Sequence, residues 1–325
     1  MSSLQAAPCS ASRVRRGRIC AVPKMITKDG SAIEYEVHGG GPTLLLIPGL
    51  GFGRWGWFKQ VPTLSRRFRT ITFDPRSPRD PKHGVAELAR DAAALLDRLS
   101  ADRAHVLGAS LGGFVAQELA LTRPDLVDRL VLVSTSYGGR GVQRMSPRAL
   151  ATMFGFGSFS PEGAAHRGLK MATSAAYRAG HPEEFDRIVT TRLALSPSLS
   201  SYLSQARAGA NFDASRRVQH ISAPTLVVHG SDDRYVPVAN AYALAEAVSG
   251  AELRVFEDAG HLVFIEKAEE VNTDIVAFLL GAHETLGARG VRLDSAPESK
   301  LKGWIRRVPR AAGRLARELR DRLVR

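Results

Sequence analysis

The chain has 325 residues, 44% of them apolar, an ordinary share for a soluble globular protein of one large or two modest domains. Its formal charge of +13 points to nucleic acid only until it is divided: residues 1–24 carry five Arg or Lys and no acid, residues 297–325 carry ten against three, and the body keeps about +1. A nearly neutral body with no base-stacking aromatics among its charges excludes a nucleic-acid groove.

Residues 1–24, rich in Ser, Ala and Arg, are expected to be a disordered basic tail, without an apolar run long enough for a signal peptide. Cys9 and Cys20, the two cysteines, both lie there, so the body has neither a disulfide framework nor a thiol nucleophile, which fits a reducing cytoplasm. Met25 opens the first strand and is an alternative start of translation. Apolar and polar residues alternate over 33–37, which predicts a half-exposed strand; Thr43–Ile47 is apolar on both faces, which predicts a buried central one. Pro48-Gly49-Leu50-Gly51 breaks that strand. Phe52, Trp55, Trp57 and Phe58 follow, running into a helix that reaches about Arg66, and Phe52 and Trp55 are candidates for lining a substrate pocket.

A strand over 70–73 ends at Asp74, after which Pro75, Pro78 and Pro81 enforce an irregular connection. Helical periodicity resumes over 85–99, with Leu88, Ala92, Leu95, Leu96 and Leu99 on one face. A strand over 104–108 then meets Gly108-Ala109-Ser110-Leu111-Gly112, followed by a helix over 113–122. A strand turning sharply into a helix leaves Ser110 exposed at the apex in a strained conformation, and small neighbours let the two elements approach. Another buried strand covers 130–133. This alternation predicts a parallel α/β sheet.

Between 138 and 220 no strand-like run occurs, and several helix-like segments predict an inserted helical cap whose Met153 and Phe154 are further candidates for substrate contact. Eleven basic residues against five acids over 138–219 offer an arginine to an anionic substrate group, and the sequence singles out none. The sheet resumes with strands at 225–229 and 253–256, a helix over 238–248 between them and a helix over 264–280 closing the body. Residues 281–299 read as a linker. Beyond Pro309, Ala312, Leu315, Leu319 and Leu323 recur at helical spacing among arginines, a basic amphipathic helix suited to peripheral contact with an anionic membrane. No run approaches the roughly 20 apolar residues of a membrane-spanning helix.

Ser110, the loop Gly230-Ser231-Asp232-Asp233-Arg234-Tyr235-Val236-Pro237 and Gly260-His261 occur in the order Ser, Asp, His. Over about residues 25–280 the chain resembles the α/β-hydrolase family, most closely its esterase and enol-lactonase branches. The resemblance implies a mostly parallel central sheet with helices on both faces, formed by 25–137 and 221–280, with the helical cap 138–220 inserted. It implies Ser110 as nucleophile, His261 as base and, by the pattern Gly-x-x-Asp-x-x-Val-Pro, Asp233 as the orienting acid. The backbone N–H groups of Leu50 and Leu111 are implied as the oxyanion hole. Two segments depart from the family pattern: Pro48 stands where many members have histidine, and Asp74-Pro75-Arg76-Ser77-Pro78 replaces a glycine-containing loop.

A serine hydroxyl needs a base to take its proton during attack and return it to the leaving group, which is the work expected of His261. The expected activity is hydrolysis of a small carboxylic ester or lactone with an apolar portion, through an acyl-enzyme and without a cofactor. The same groups serve carbon–carbon bond hydrolysis or acyl transfer, and the fold also hosts ligand-binding proteins without turnover. His38, His105, His220 and His229 are read as structural, and no His/Asp/Glu spacing suggests a metal site.

Overall fold

The computed structural model describes residues 22–80, 82–281 and 292–293. Along the chain run β1 (Lys24–Ile26), β2 (Ala32–His38), β3 (Thr43–Ile47), α1 (Val61–Leu64), β4 (Arg69–Phe73), α2 (Gly84–Arg98), β5 (Ala104–Ala109), α3 (Leu111–Thr122) and β6 (Val127–Val133). Five helices follow: α4 (Pro147–Met153), α5 (Pro161–Ala172), α6 (Ala175–Gly180), α7 (Pro182–Leu195) and α8 (Leu199–Ala210). The chain then returns through β7 (Thr225–Gly230), α9 (Ala239–Ala247), β8 (Glu252–Phe256), α10 (Val263–Glu266), α11 (Ala268–Leu279) and β9 (Arg292–Leu293).

The nine strands form one sheet in the order β1-β2-β4-β3-β5-β6-β7-β8-β9. β1 and β2 pair antiparallel and β2 runs antiparallel to β4; every other pairing is parallel. The central strands are apolar throughout because both their faces are covered. Leu45 and Ile47 of β3 pack on the side of α2, α3 and α9, whereas Leu44 and Leu46 pack with Phe68, Val271 and Ile275 on the other. Each such leucine, wholly removed from water, contributes about 1.5–3 kcal/mol of transfer free energy. Because side chains alternate along a strand, one run of four apolar residues serves both cores.

Parallel strands all present their carboxyl ends at one edge, so the turns after β3, β5, β6, β7 and β8 gather there. The inserted helices α4–α8 leave and rejoin the sheet at that edge, between β6 and β7. Ser146, Ser160, Ser174 and Ser198 each accept an N–H from the first turn of the helix they precede, which fixes where α4, α5, α6 and α8 begin.

Several expectations change. The closing helix is two helices, α10 and α11, divided at Lys267, whose φ of −119° and ψ of 41° leave the helical region. The aromatic stretch after Gly51 forms a short 3-10 turn over Arg54–Trp57 and then the single-turn α1 instead of one helix. Within the expected linker, Arg292–Leu293 pairs with β8 as a sheet edge. The N-terminal tail 1–24 is described only from residue 22, and the basic amphipathic helix expected beyond Pro309 lies outside the described residues. Among those residues no helix is long and apolar enough to cross a membrane.

Candidate active site

The β5–α3 junction places Ser110 at φ 54° and ψ −116°, a left-handed conformation that costs a side-chain-bearing residue on the order of 1–3 kcal/mol. Neighbouring bonds hold it there. The Ser110 N–H donates to the Val133 carbonyl at 2.9 Å, and its own carbonyl accepts from the Gly113 N–H and the Thr135 hydroxyl, both at 2.9 Å. The approach of helix to sheet requires glycine at 112, where a Cβ would collide with the carbonyl oxygens of Ile47 and Pro48.

Asp233 follows β7, with its carboxylate wholly buried. Oδ1 accepts the N–H groups of Tyr235 and Val236, each at 2.8 Å. Oδ2 lies 2.7 Å from His261 Nδ1 and 3.2 Å from His229 Nε2. Burial opposes the charge, yet the attraction of His261 and the bonds from both histidines prevail and hold this carboxyl well below the usual carboxylate range. With Nδ1 occupied by Asp233, His261 turns Nε2 free for proton transfer.

His261 and Ser110 line one cavity of about 510 Å³, within the range of small-molecule sites. Its other wall comes from α4, α5, α7 and α8, through Met153, Phe154, Leu169 and Leu193 among others. Phe52, Met153 and Phe154 line it. Trp55 does not: it stacks on the outer side of Phe52 at 4.7 Å between centroids and faces a separate groove with Glu34, Glu36 and Arg54. Leu50 lines the cavity with Ser110, Leu111 follows Ser110 in the chain, and neither of their N–H groups donates to a backbone acceptor among the described residues. Leu111 opens α3, where the first N–H groups have no intrahelical partner.

The residues that sequence reasoning passed over come from all around this edge. Gln205 of α8 accepts the Gly51 N–H at 3.4 Å and donates to the Pro75 carbonyl at 3.3 Å, tying the Leu50 loop to the unusual proline segment. Arg76 anchors that segment in turn, bonding Asp91 at 2.7 Å and pairing with Glu87. Glu266 accepts the Gly260 N–H at 3.0 Å and the Ser174 N–H at 2.9 Å, joining the loop before His261 to the inserted helices. Ser134, at φ 48° and almost wholly buried, lines the cavity with a hydroxyl that has no hydrogen-bond partner among the described residues. No group of three His, Cys, Asp or Glu among the described residues is placed to hold a metal ion.

Among the described residues Arg192 is the only arginine lining the cavity. Its guanidinium lies 4.7 Å from the centre of the Phe52 ring and donates to the Gly51 carbonyl at 3.4 Å, with no carboxylate in ion-pair range among the described residues. Burial under the inserted helices lowers its pKa, and the nearby Tyr202 and Tyr235 offset only part of the lost hydration.

A family model described as the alpha/beta hydrolase fold matches residues 42–268. The chain belongs to the alpha/beta hydrolase fold family. Among similar α/β hydrolases, a putative carbamate hydrolase RutD of Agrobacterium fabrum is 29% identical over 269 residues, 78% of this chain and 100% of that protein. A 2-hydroxy-6-oxo-6-phenylhexa-2,4-dienoate hydrolase of Comamonas testosteroni is 28% identical over 281 residues, 81% of this chain and 97% of that one. The crystal structure of the enol-lactonase from Burkholderia xenovorans LB400 superposes with a TM-score of 0.68 at 26% identity, covering 79% of this chain and all of that chain.

Proposed function

We propose that this α/β hydrolase is a serine hydrolase that cleaves a carboxylic ester or lactone through an acyl-enzyme on Ser110. The observation that carries the reading is the strained Ser110 facing the same cavity as His261, whose far nitrogen is held by Asp233 at 2.7 Å. Ser110 Oγ attacks the carbonyl carbon while His261 Nε2 takes its proton, and Asp233 stabilises the imidazolium. The Leu50 and Leu111 N–H groups receive the oxyanion, each such donor being worth about 3 kcal/mol. His261 then protonates the leaving oxygen; water, activated by the same histidine, releases the acid and restores Ser110.

Arg192 narrows the substrate. A desolvated cation without a carboxylate partner is unfavourable until an anion occupies the site, so a carboxylate on an otherwise apolar substrate fits this cavity best. The names of the dienoate hydrolase and the enol-lactonase agree with an acyl substrate. Carbon–carbon bond hydrolysis is the second reading, favoured by the dienoate hydrolase relative.

The test compares 4-nitrophenyl hemiglutarate, 4-nitrophenyl pentanoate and simple lactones on the wild-type chain, Ser110→Ala and Arg192→Gln. Turnover that vanishes in Ser110→Ala and favours the anionic ester, with Arg192→Gln lowering that preference about thirtyfold or more, is the expected result. Turnover of none of these compounds contradicts the ester reading, and an equal loss on both 4-nitrophenyl esters in Arg192→Gln contradicts the anion site.

A further inference from the structure

The inserted helices carry a surface that catalysis leaves unexplained. After α4 the chain coils back on itself, Phe154 N–H to Leu150 O at 3.3 Å and Phe156 N–H to Ala151 O at 3.0 Å, and glycines at 155 and 157 take φ of 72° and 77°. The coil projects Phe156, 73% exposed, and Phe159, fully exposed, into solvent, with Leu150 exposed behind them. Arg167 fastens the coil to α5 through the Ser158 hydroxyl, so the two rings are presented by a structured turn.

The surroundings of this patch are mainly basic, with one exposed carboxylate, Glu162, in the first turn of α5. Residues 138–161 contain Arg140, Arg144 and Arg148 and no acid. All three arginines are exposed, and none has a carboxylate partner among the described residues. The patch also adjoins the cavity entrance: Phe154, Pro161 and Leu199 line the cavity and are themselves exposed, so the opening lies beside Phe156 and Phe159.

Exposed phenylalanines in the same segment as exposed arginines without a carboxylate partner among the described residues match the two layers of an anionic bilayer, whose phosphates take guanidinium groups and whose acyl boundary takes aromatic rings. We propose that this face of α4, the 154–160 turn and α5 docks on anionic lipid surfaces, with Phe156 and Phe159 inserted and Arg140, Arg144 and Arg148 on phosphates. An amphiphilic substrate then reaches the cavity from the membrane side without crossing water. An acidic protein surface satisfies the arginines but leaves the rings without an apolar layer, which is why a bilayer fits better. The proposal concerns the outer surface and does not rest on which bond is cleaved.

The experiment is co-sedimentation of the full chain with phosphatidylcholine vesicles, with and without phosphatidylglycerol, at low and high salt, alongside the double variant Phe156→Ser, Phe159→Ser. Neither ring lines the cavity, so fluorophosphonate labelling of Ser110 reports that the variant is folded. The expected result is salt-sensitive binding to the anionic vesicles that weakens at least about tenfold in the double variant. Equal binding by both chains overturns the proposal, since the basic C-terminal segment then accounts for it. Absence of wild-type binding overturns it also, as does self-association in solution that the double variant abolishes, which assigns the patch to a second copy of the chain.

Discussion

His229 Nε2 lies 3.2 Å from Asp233 Oδ2 and 2.8 Å from the Val236 carbonyl oxygen, on a side chain that solvent does not reach. Both neighbours are acceptors, so Nε2 carries the hydrogen and shares it between them, while Nδ1 is buried without a partner among the described residues. His229 is therefore a fixed donor that spreads the Asp233 charge over a second group and holds the Val236 turn. It is more than a packed residue at a strand end.

Removing that donor leaves Asp233 with more negative charge to direct at His261. In His229→Leu the acidic limb of the kcat/KM profile moves up by about one pH unit, because a bond to a charged group is worth about 1.5–3 kcal/mol. Rate profiles from pH-stat or chromogenic assays check this. An unchanged limb combined with a lower melting temperature would reduce His229 to a structural role.

Glu266 gives a pH dependence with a definite sign. Burial raises its pKa and outweighs the lowering by the Ser174 and Gly260 donors and by Arg178. A carboxyl whose folded pKa is raised favours folding fully below its ordinary value of 4.5, and that contribution is lost as pH rises through the folded value. Glu266→Gln, which mimics the neutral form, therefore gains stability relative to the wild-type chain as pH climbs from 4.5 to the folded value and levels off above it. Urea unfolding at a series of pH values measures the difference. A gap that closes with rising pH contradicts the assignment.

At the elbow, Gly112→Ala pushes a methyl group into the Ile47 and Pro48 carbonyl oxygens. Backbone is in the way, so the helix must move off the sheet, at about 1–3 kcal/mol in urea unfolding and with a larger loss in Ser110 reactivity. Unaltered labelling by a fluorophosphonate in this variant would show that the elbow tolerates the shift.

The catalytic candidates were legible because each is a local signal: Ser110 sits between a short, mostly apolar run and a helix, and Asp233 and His261 sit in short motifs after strands. The supporting groups carry no such mark. Arg192 is one of eleven basic residues in its segment, and only its depth beneath α8 sets it apart. Gln205 and Glu266 act across 154 and 92 residues of chain, to Gly51 and Ser174. Trp55 misled for the same reason: an aromatic next to a pocket-lining aromatic has no sequence signature for the side it faces. The break at Lys267 escaped notice because lysine is an ordinary helix residue, and only the fold turns the chain there.

The central claim is that Ser110, activated by His261, is a nucleophile. Its most direct measurement is fluorophosphonate labelling of the full chain, with the adduct located by peptide mass spectrometry in the wild-type chain, Ser110→Ala and His261→Ala. The account predicts one adduct, on Ser110, absent from Ser110→Ala and formed on the order of a thousandfold more slowly or less in His261→Ala. No adduct on the wild-type chain, or equal labelling without His261, would contradict it.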